Sequence, residues 1–358
     1  MTTIDDIRER LTEIRSPGFS QDIVSLGAVK AIDRRDGAVV IHLELPAMPD
    51  PSLNATVADI RRAVGAFDDV REVHVRLGGG KPPTAGSAVE KQGPLPGVHD
   101  IIVVGSTKGG VGKSTVATNL ALAMQARGLR IGLLDADVYG PSLPIMLGVS
   151  GRPRVSPEKR LYPLEKYGLR VMSVGFFLDD ESPVIWRGPL VMGLVRQFLR
   201  DVEWGELDAL VIDLPPGTGD APLTLVQQVP VAGAVVVTTP QDVATLDVER
   251  GIAMFRQVNT PVFGIVENMS FYECPKCAKK EFLFGSGGAE RIAERYGVPV
   301  LGQLPLVPAV RAAGDAGEPI VIAQPDNLVS RLFMDIAAKV IDAVQAEHEA
   351  AAPPTIIG

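Results

Sequence analysis

One segment constrains this chain more than any other: Ile101-Ile-Val-Val-Gly-Ser-Thr-Lys-Gly-Gly-Val-Gly-Lys-Ser-Thr115. An apolar strand runs into a turn carrying Gly109, Gly110 and Gly112, and the turn runs into a helix. Backbone N–H groups in such a turn have no partners of their own. They converge on an anion, helped by the positive end of the helix that follows. A strand that turns this sharply into a helix belongs to an alternating β-α chain, whose strands line up in parallel with helices on both faces.

The rest of the sequence has that alternation. Strand candidates fall at Ile101–Gly105, Arg130–Leu134, Leu169–Val174, Ala209–Ile212, Ala234–Thr238, Val262–Val266 and Val300–Leu304. Helical patterns separate most of them, as at Lys113–Arg127, Leu190–Leu199 and Ala244–Gln257. The strands are continuous apolar runs, as expected when both sheet faces are covered. Residues 100–344 therefore read as a doubly wound, mainly parallel α/β sheet of the P-loop NTPase type. Ahead of it, residues 1–77 read as a small α/β domain in the order α-β-β-α-β. Its first helix places Ile4, Ile7, Leu11 and Ile14 on one face; strands follow at Val24–Ile32 and Ala38–Leu45 around an Asp36-Gly37 turn. A helix at Leu53–Val64 and a strand at Val70–Leu77 complete it. Residues 78–99, rich in Gly and Pro, read as a flexible linker, and residues 345–358 as a frayed tail.

The residue types at the turn define its chemistry. Lys113 is placed to reach the β- and γ-phosphates of a nucleoside triphosphate, and Ser114 to ligate Mg²⁺. The spacing matches G-x-x-x-x-G-K-[ST] except at the first glycine, where Thr107 stands. Leu133-Leu-Asp-Ala-Asp137 puts Asp135 and Asp137 at the carboxyl end of a strand, where ligands of such sheets bind. Leu210-Val-Ile-Asp213 ends another apolar strand with an aspartate suited to holding Mg²⁺ directly or through water. Either position alone reads equally as a helix N-cap or a turn residue. Two of them downstream of a phosphate loop read as a site.

The box K-G-G-V-G-K-S-T resembles the deviant Walker A motif of the septum-positioning and chromosome-partitioning ATPases and the nitrogenase iron protein. The resemblance implies that Lys108 reaches across a homodimer interface to the partner's nucleotide, neutralising charge as an arginine finger does. It implies catalytic roles for Lys108, Lys113 and Asp137, the last orienting the attacking water. Lys108, Gly109, Gly110, Val111, Gly112, Lys113, Ser114 and Thr115 become nucleotide-binding positions together with Asp135, Asp213 and Gly217, the γ-phosphate switch. Asn268, just past a strand, corresponds to the position that hydrogen-bonds adenine, which favours ATP over GTP.

Glu273-Cys-Pro-Lys-Cys277 holds both cysteines of the chain. A C-x-x-C pair can be a redox dithiol, half of a zinc site, or half of an iron–sulfur site, and the last two each take four ligands. Two chains related by a two-fold axis supply four thiolates. Ligand chemistry alone leaves cluster and zinc open. The ordered set K-G-G-V-G-K-S-T, D-A-D-V-Y-G-P-S at 135–142, S-V-G-F-F at 173–177, W-R-G-P at 186–189, D-x-P-P-G-T-G-D at 213–220 and E-N-M-S with C-P-x-C resembles the Mrp/ApbC-type iron–sulfur cluster carriers. That resemblance spans roughly residues 98–345. It implies an ATPase that binds a [4Fe–4S] cluster between two chains through Cys274 and Cys277, with Ser114 and Asp213 on Mg²⁺. It further implies exchange with cluster donors and apo iron–sulfur clients. Residues 4–77 resemble the small domain of iron–sulfur assembly proteins, without the cysteine often found in its strand–helix loop; Leu45-Pro-Ala-Met-Pro-Asp-Pro51 has none.

Two rival readings differ in chemistry. One is a zinc-bridged ATPase dimer; the other is a positioning or partitioning switch. Thirty-five basic against forty-three acidic side chains give a net charge of −8, no general attraction for nucleic acid or anionic lipid. The helical pattern Leu328–Val344 leads into an acidic tail unsuited to lipid. The N-terminus lacks the apolar core of a signal peptide and no apolar run is long enough to span a bilayer, so a cytoplasmic protein is expected. His42, His74, His99 and His348 are scattered and read as ordinary residues.

Overall fold

The structure is a computed structural model and describes residues 2–14, 22–25, 28–35, 38–43, 50–67, 69–70, 72–77, 95–137, 140–158, 160–177, 188–274 and 276–351. It divides into two compact units, Met1–Ala88 and Val89–Gly358.

In the first unit, helix α1 (Ile4–Leu11) is opened by a reciprocal cap: Asp6 N donates to Thr3 Oγ1 at 3.1 Å, and Thr3 N donates to Asp6 Oδ2 at 2.7 Å. Strands β1 (Val29–Arg35) and β2 (Ala38–Leu43) pair antiparallel. Helix α2 (Asp50–Gly65) then crosses over to β3 (Glu72–Leu77), which pairs parallel to β2. Ile7, Leu11, Ile41, Leu43, Ile60 and Val64 are buried together between helices and sheet. Two expectations shift here. The first strand begins at Val29 and not Val24, because Val24 and Ser25 are drawn into a turn by Asp22, whose Oδ1 accepts from both backbone N–H groups. Ile4, expected on the buried face of α1, is 44% exposed. The expected turn at Asp36-Gly37, the loop Leu45–Pro51 up to Pro49, and residues 78–94 of the linker lie outside the described residues.

The second unit is built on an eight-stranded sheet. Its elements run β4 (Val98–Gly105), α3 (Lys113–Ala126), β5 (Ile131–Asp135), α4 (Leu143–Leu147), β6 (Leu164–Lys166), β7 (Leu169–Ser173), α5 (Gly188–Asp201) and β8 (Leu207–Asp213). Then come α6 (Asp220–Gln228), β9 (Gly233–Thr238), α7 (Asp242–Gln257), β10 (Val262–Glu267), the two-residue strands β11 (Tyr272–Glu273) and β12 (Lys280–Glu281), and α8 (Gly288–Tyr296). β13 (Val300–Gln303), α9 (Pro308–Asp315), α10 (Ile320–Ala323) and α11 (Leu328–Ala351) finish the chain. The strand order is β13-β10-β9-β4-β8-β5-β7-β6. Every pairing is parallel except that of β6 with β7. The doubly wound, mainly parallel sheet expected from the sequence is therefore present.

β5 and β9 are buried along their whole length, as strands covered on both faces must be. From β4 the chain first builds β5, β7 and β8 on one side, then β9, β10 and β13 on the other. That reversal opens a crevice at the carboxyl end of β4, where the phosphate loop sits. Two further boundaries move. β4 starts at Val98, inside the stretch read as linker. Residues 345–351, read as frayed, continue helix α11, and 352–358 lie outside the described residues. Among the described residues no helix is long and apolar enough to cross a membrane.

Candidate nucleotide site and cysteine hairpin

The loop Ser106–Gly112 joins β4 to α3. Gly110 and Gly112 have φ of +79° and +83°, the left-handed region that a side chain resists. At Gly112 an added Cβ would fall 2.2 Å from Asn268 Nδ2. At Gly109 and Gly110 it would meet nothing within 4 Å, so the loop is open on the side where an anion is held.

Behind the loop lies a buried charge cluster. Lys113, only 6% exposed, places Nζ 2.6 Å from Asp213 Oδ1 and 3.4 Å from Asp137 Oδ2. Ser114 Oγ is 3.4 Å from the same nitrogen. Asp213 is fully buried at the end of β8, and its Oδ2 has no hydrogen-bond partner. Burial pushes the Asp213 carboxyl above its ordinary pKa, opposed by Lys113. An orphaned buried carboxylate oxygen beside a hydroxyl at the mouth of a phosphate loop is a donor set that fits Mg²⁺. Asp135 is occupied otherwise: its carboxylate accepts from Asp137 N, Leu143 N and Ser173 Oγ at 3.1, 3.2 and 3.0 Å. Burial first, and the charge of Asp213 second, raise its pKa to about 7. Asp135 thus holds the loop that presents Asp137.

The expected switch residue is tied to the phosphate loop. Gly217, with φ of +103°, donates its N–H to Ser106 O at 2.8 Å. Lys108 turns toward its own chain, with Nζ 3.0 Å from Asp247 Oδ2 on α7. Asp247 also pairs with Arg250 at 3.3 Å. Asn268 stands at the carboxyl end of β10 and donates from Nδ2 to Val111 O at 2.8 Å. Beside it opens a cavity of about 390 Å³, lined among others by Gly112, Thr115, Pro305, Val307 and Arg311. That volume suits a nucleoside.

Sequence reasoning did not assign Asp247, Ser173 or Glu267 to this neighbourhood. Glu267 is fully buried and accepts from Ser270 Oγ, Ala289 N and Gln303 Nε2 at 2.7, 3.0 and 2.9 Å. It anchors the segment that leads from Asn268 to the cysteines. Its signal was the motif E-N-M-S, in which it precedes the asparagine. Trp186 and Arg187 lie outside the described residues.

Cys274 and Cys277 sit at the turn of the β11–β12 hairpin, whose register pairs Tyr272 with Glu281 and Glu273 with Lys280. Cys274 N donates to Lys279 O at 3.0 Å, and Ala278 N donates to Cys274 O at 2.8 Å. Cys274 is half-buried and Cys277 exposed. Backbone N–H groups of Lys276 and Cys277 hold the Cys274 thiol below the usual cysteine pKa, which favours the thiolate that metals bind. Two thiols per chain leave a four-coordinate metal half ligated.

A glycine cradle, a buried lysine and strand-end aspartates at a topological switch point define a P-loop NTPase with a nucleotide site. Comparison with known proteins makes the assignment particular. Residues 97–341 match the model of the NUBPL iron-transfer P-loop NTPase family, and residues 4–75 that of the iron–sulfur cluster assembly protein family. The chain belongs to the NUBPL iron-transfer P-loop NTPase family and carries an iron–sulfur assembly-type domain ahead of it. An iron–sulfur cluster carrier protein from Aquifex aeolicus is 42% identical over 96% of this chain and 99% of its own length. The mouse iron–sulfur cluster transfer protein NUBPL is 47% identical over 72% of this chain and 82% of its own. Among solved structures, a nucleotide-binding protein from Archaeoglobus fulgidus in complex with ADP is 42% identical, with a TM-score of 0.58 over 65% of this chain and 91% of that one.

Proposed function

We propose that this chain is an ATP-hydrolysing carrier that holds a [4Fe–4S] cluster between two copies of itself and passes it to apo-proteins. The observation that carries this reading is the exposed hairpin bearing Cys274 and Cys277, which leaves the same sheet edge as the phosphate loop by way of Asn268. Four thiolates complete an iron–sulfur cluster, so a second chain supplies the missing two. Ligands on an open turn allow a cluster to be received and surrendered.

At the nucleotide site, Lys113 exchanges its carboxylate partners for the β- and γ-phosphates of ATP. This frees Asp137 to orient the attacking water and Asp213, with Ser114, to hold Mg²⁺, which would neutralise phosphate charge. Lys108 leaves Asp247 to reach the partner's nucleotide, so ATP favours the closed dimer. Asn268 gives up Val111 O for the adenine edge, and its movement is transmitted to the hairpin along the segment anchored by Glu267. Gly217, bonded to Ser106, follows the γ-phosphate. The expected compartment of such a carrier is the cytoplasm, its partners cluster donors and apo iron–sulfur proteins.

Anaerobic reconstitution with iron and sulfide tests this directly. The wild type is expected to turn brown, with broad visible absorbance, and Cys274→Ala to stay colourless and free of iron. A colourless wild type that binds zinc in place of iron overturns the cluster reading. Equal cluster transfer by the wild type and Lys113→Ala overturns the nucleotide coupling.

A further inference from the structure

Two of the four histidines of this chain, far apart in sequence, come together in the fold. His99 lies at the start of β4 and His348 near the end of α11, with ring centroids 5.5 Å apart and ring planes at 58°. Asp100 stands between them. Its Oδ2 is 3.2 Å from His99 Nδ1 and its Oδ1 is 2.8 Å from His348 Nε2. One potential ligand atom from each of the three side chains falls within 4.8 Å of the other two.

We propose that His99, Asp100 and His348 form a binding site for a divalent transition-metal ion of the zinc class, separate from the nucleotide and cysteine sites. Two imidazoles and a carboxylate are a donor set that such ions prefer, and that Mg²⁺ and Ca²⁺ do not. Metal–nitrogen and metal–oxygen bonds of about 2 Å require the ligand atoms to close to roughly 3–3.5 Å of one another. The exposed partners have room for that adjustment: the His99 and His348 side chains are 73% and 48% exposed, while Asp100 is 11% exposed. Each ring already turns one nitrogen toward a different oxygen of the same carboxylate. Metal binding also needs the tautomer that carries each ring's proton on its other nitrogen, and water completes the coordination.

The position assigns a role. β4 is eight residues long, and the phosphate loop begins at its far end. At about 3.3 Å per residue the ion would sit roughly 20 Å from the nucleotide, too far to share ligands with it. It would fasten the last turns of α11 to the first residues of β4. α11 packs along α3, the helix that starts at Lys113, so a metal here braces the support of the phosphate loop from behind.

The test uses the full chain with Cys274→Ser and Cys277→Ser, stripped of metal and kept in excess Mg²⁺, so that thiolates and the nucleotide carboxylates do not compete. Calorimetric titration with zinc is expected to give one ion per chain. His99→Ala and His348→Ala, both at exposed positions, are each expected to weaken binding at least about tenfold. Zinc is also expected to slow amide exchange in residues 345–351 before the histidine substitutions and not after them. Zinc binding unchanged in both histidine variants, or no binding by the histidine-intact chain, overturns the proposal.

Discussion

Lys113, Asp137 and Asp213 are 6%, 13% and 0% exposed, whereas Cys277 stands open to solvent and Cys274 is half covered. The first group lies at the carboxyl edge of the eight-stranded sheet and the second on the separate β11–β12 hairpin, reached by a short segment from Asn268 to Cys274. The buried group is gathered within a single chain: glycine cradle, cation and carboxylates lie together, and only Lys108 is proposed to come from a second chain. On the proposed reading the exposed pair is incomplete until a second chain adds two thiolates. On the same reading, a cradle, cation and carboxylates already gathered in one place limit the rearrangement that a nucleotide requires to the partner exchanges of Lys113, Lys108 and Asn268. Incompleteness suits a ligand that has to leave.

The sharpest way to break this contrast is at Lys113. Lys113→Ala leaves Asp213 buried without its cation, so a loss of about 3–5 kcal/mol is expected in denaturant unfolding. ATP turnover is expected to fall at least about a hundredfold. Stability within about 1 kcal/mol of wild type would show that the buried cluster is not the preorganised unit described above.

On the exposed side, Cys277→Ala is expected to remove bound iron while changing unfolding free energy by no more than about 0.5 kcal/mol. A large loss of stability would make the hairpin a structural knuckle in place of a carrier site.

pH separates the two regions as well. Asp135 is a buried carboxyl whose pKa is raised to about 7, so the folded state holds its proton more tightly than the unfolded chain does. Its stabilisation is fully present below the unfolded value, about 4, and is lost as pH rises through the folded value. Nucleotide-free protein is expected to lose stability between about pH 4 and 7, by at most about 1.4 kcal/mol per pH unit from this group. Asp135→Asn is expected to flatten that slope; an unchanged slope would place the titration elsewhere.

The smallest effect belongs to Asp247, whose pair with Lys108 is partly solvated, with side chains 21% and 36% exposed. Asp247→Asn is expected to alter stability by less than about 1 kcal/mol. The fraction of dimer formed with ATP, read by light scattering, is expected to rise because Lys108 is released. A lower fraction would mean that Asp247 is needed in the dimer itself.

Much of the nucleotide end was legible in the sequence because its residues are local. Strand, glycine turn, Lys113 and Ser114 are contiguous, and Asp135 and Asp213 each close an apolar run. Contacts between distant elements were not legible. Nothing near Lys108 announces Asp247, and the partners of Asp135, Ser173 Oγ and Leu143 N, come from other elements. His99 and His348 read as scattered for the same reason. In the first unit, β1 was placed too early because its sequence V-K-A-I-D-R-R ends in three charged residues and is less apolar than the stretch before it. β6 escaped notice because a three-residue edge strand with Glu165 and Lys166 carries no periodic signal.

Native mass spectrometry of anaerobically reconstituted protein shows whether two chains share one cluster through four thiolates. The expected species is two chains carrying one four-iron, four-sulfide cluster, which Cys274→Ala reduces to bare protein. A cluster carried by a single chain, or a dimer bridged by zinc with no iron, would contradict it.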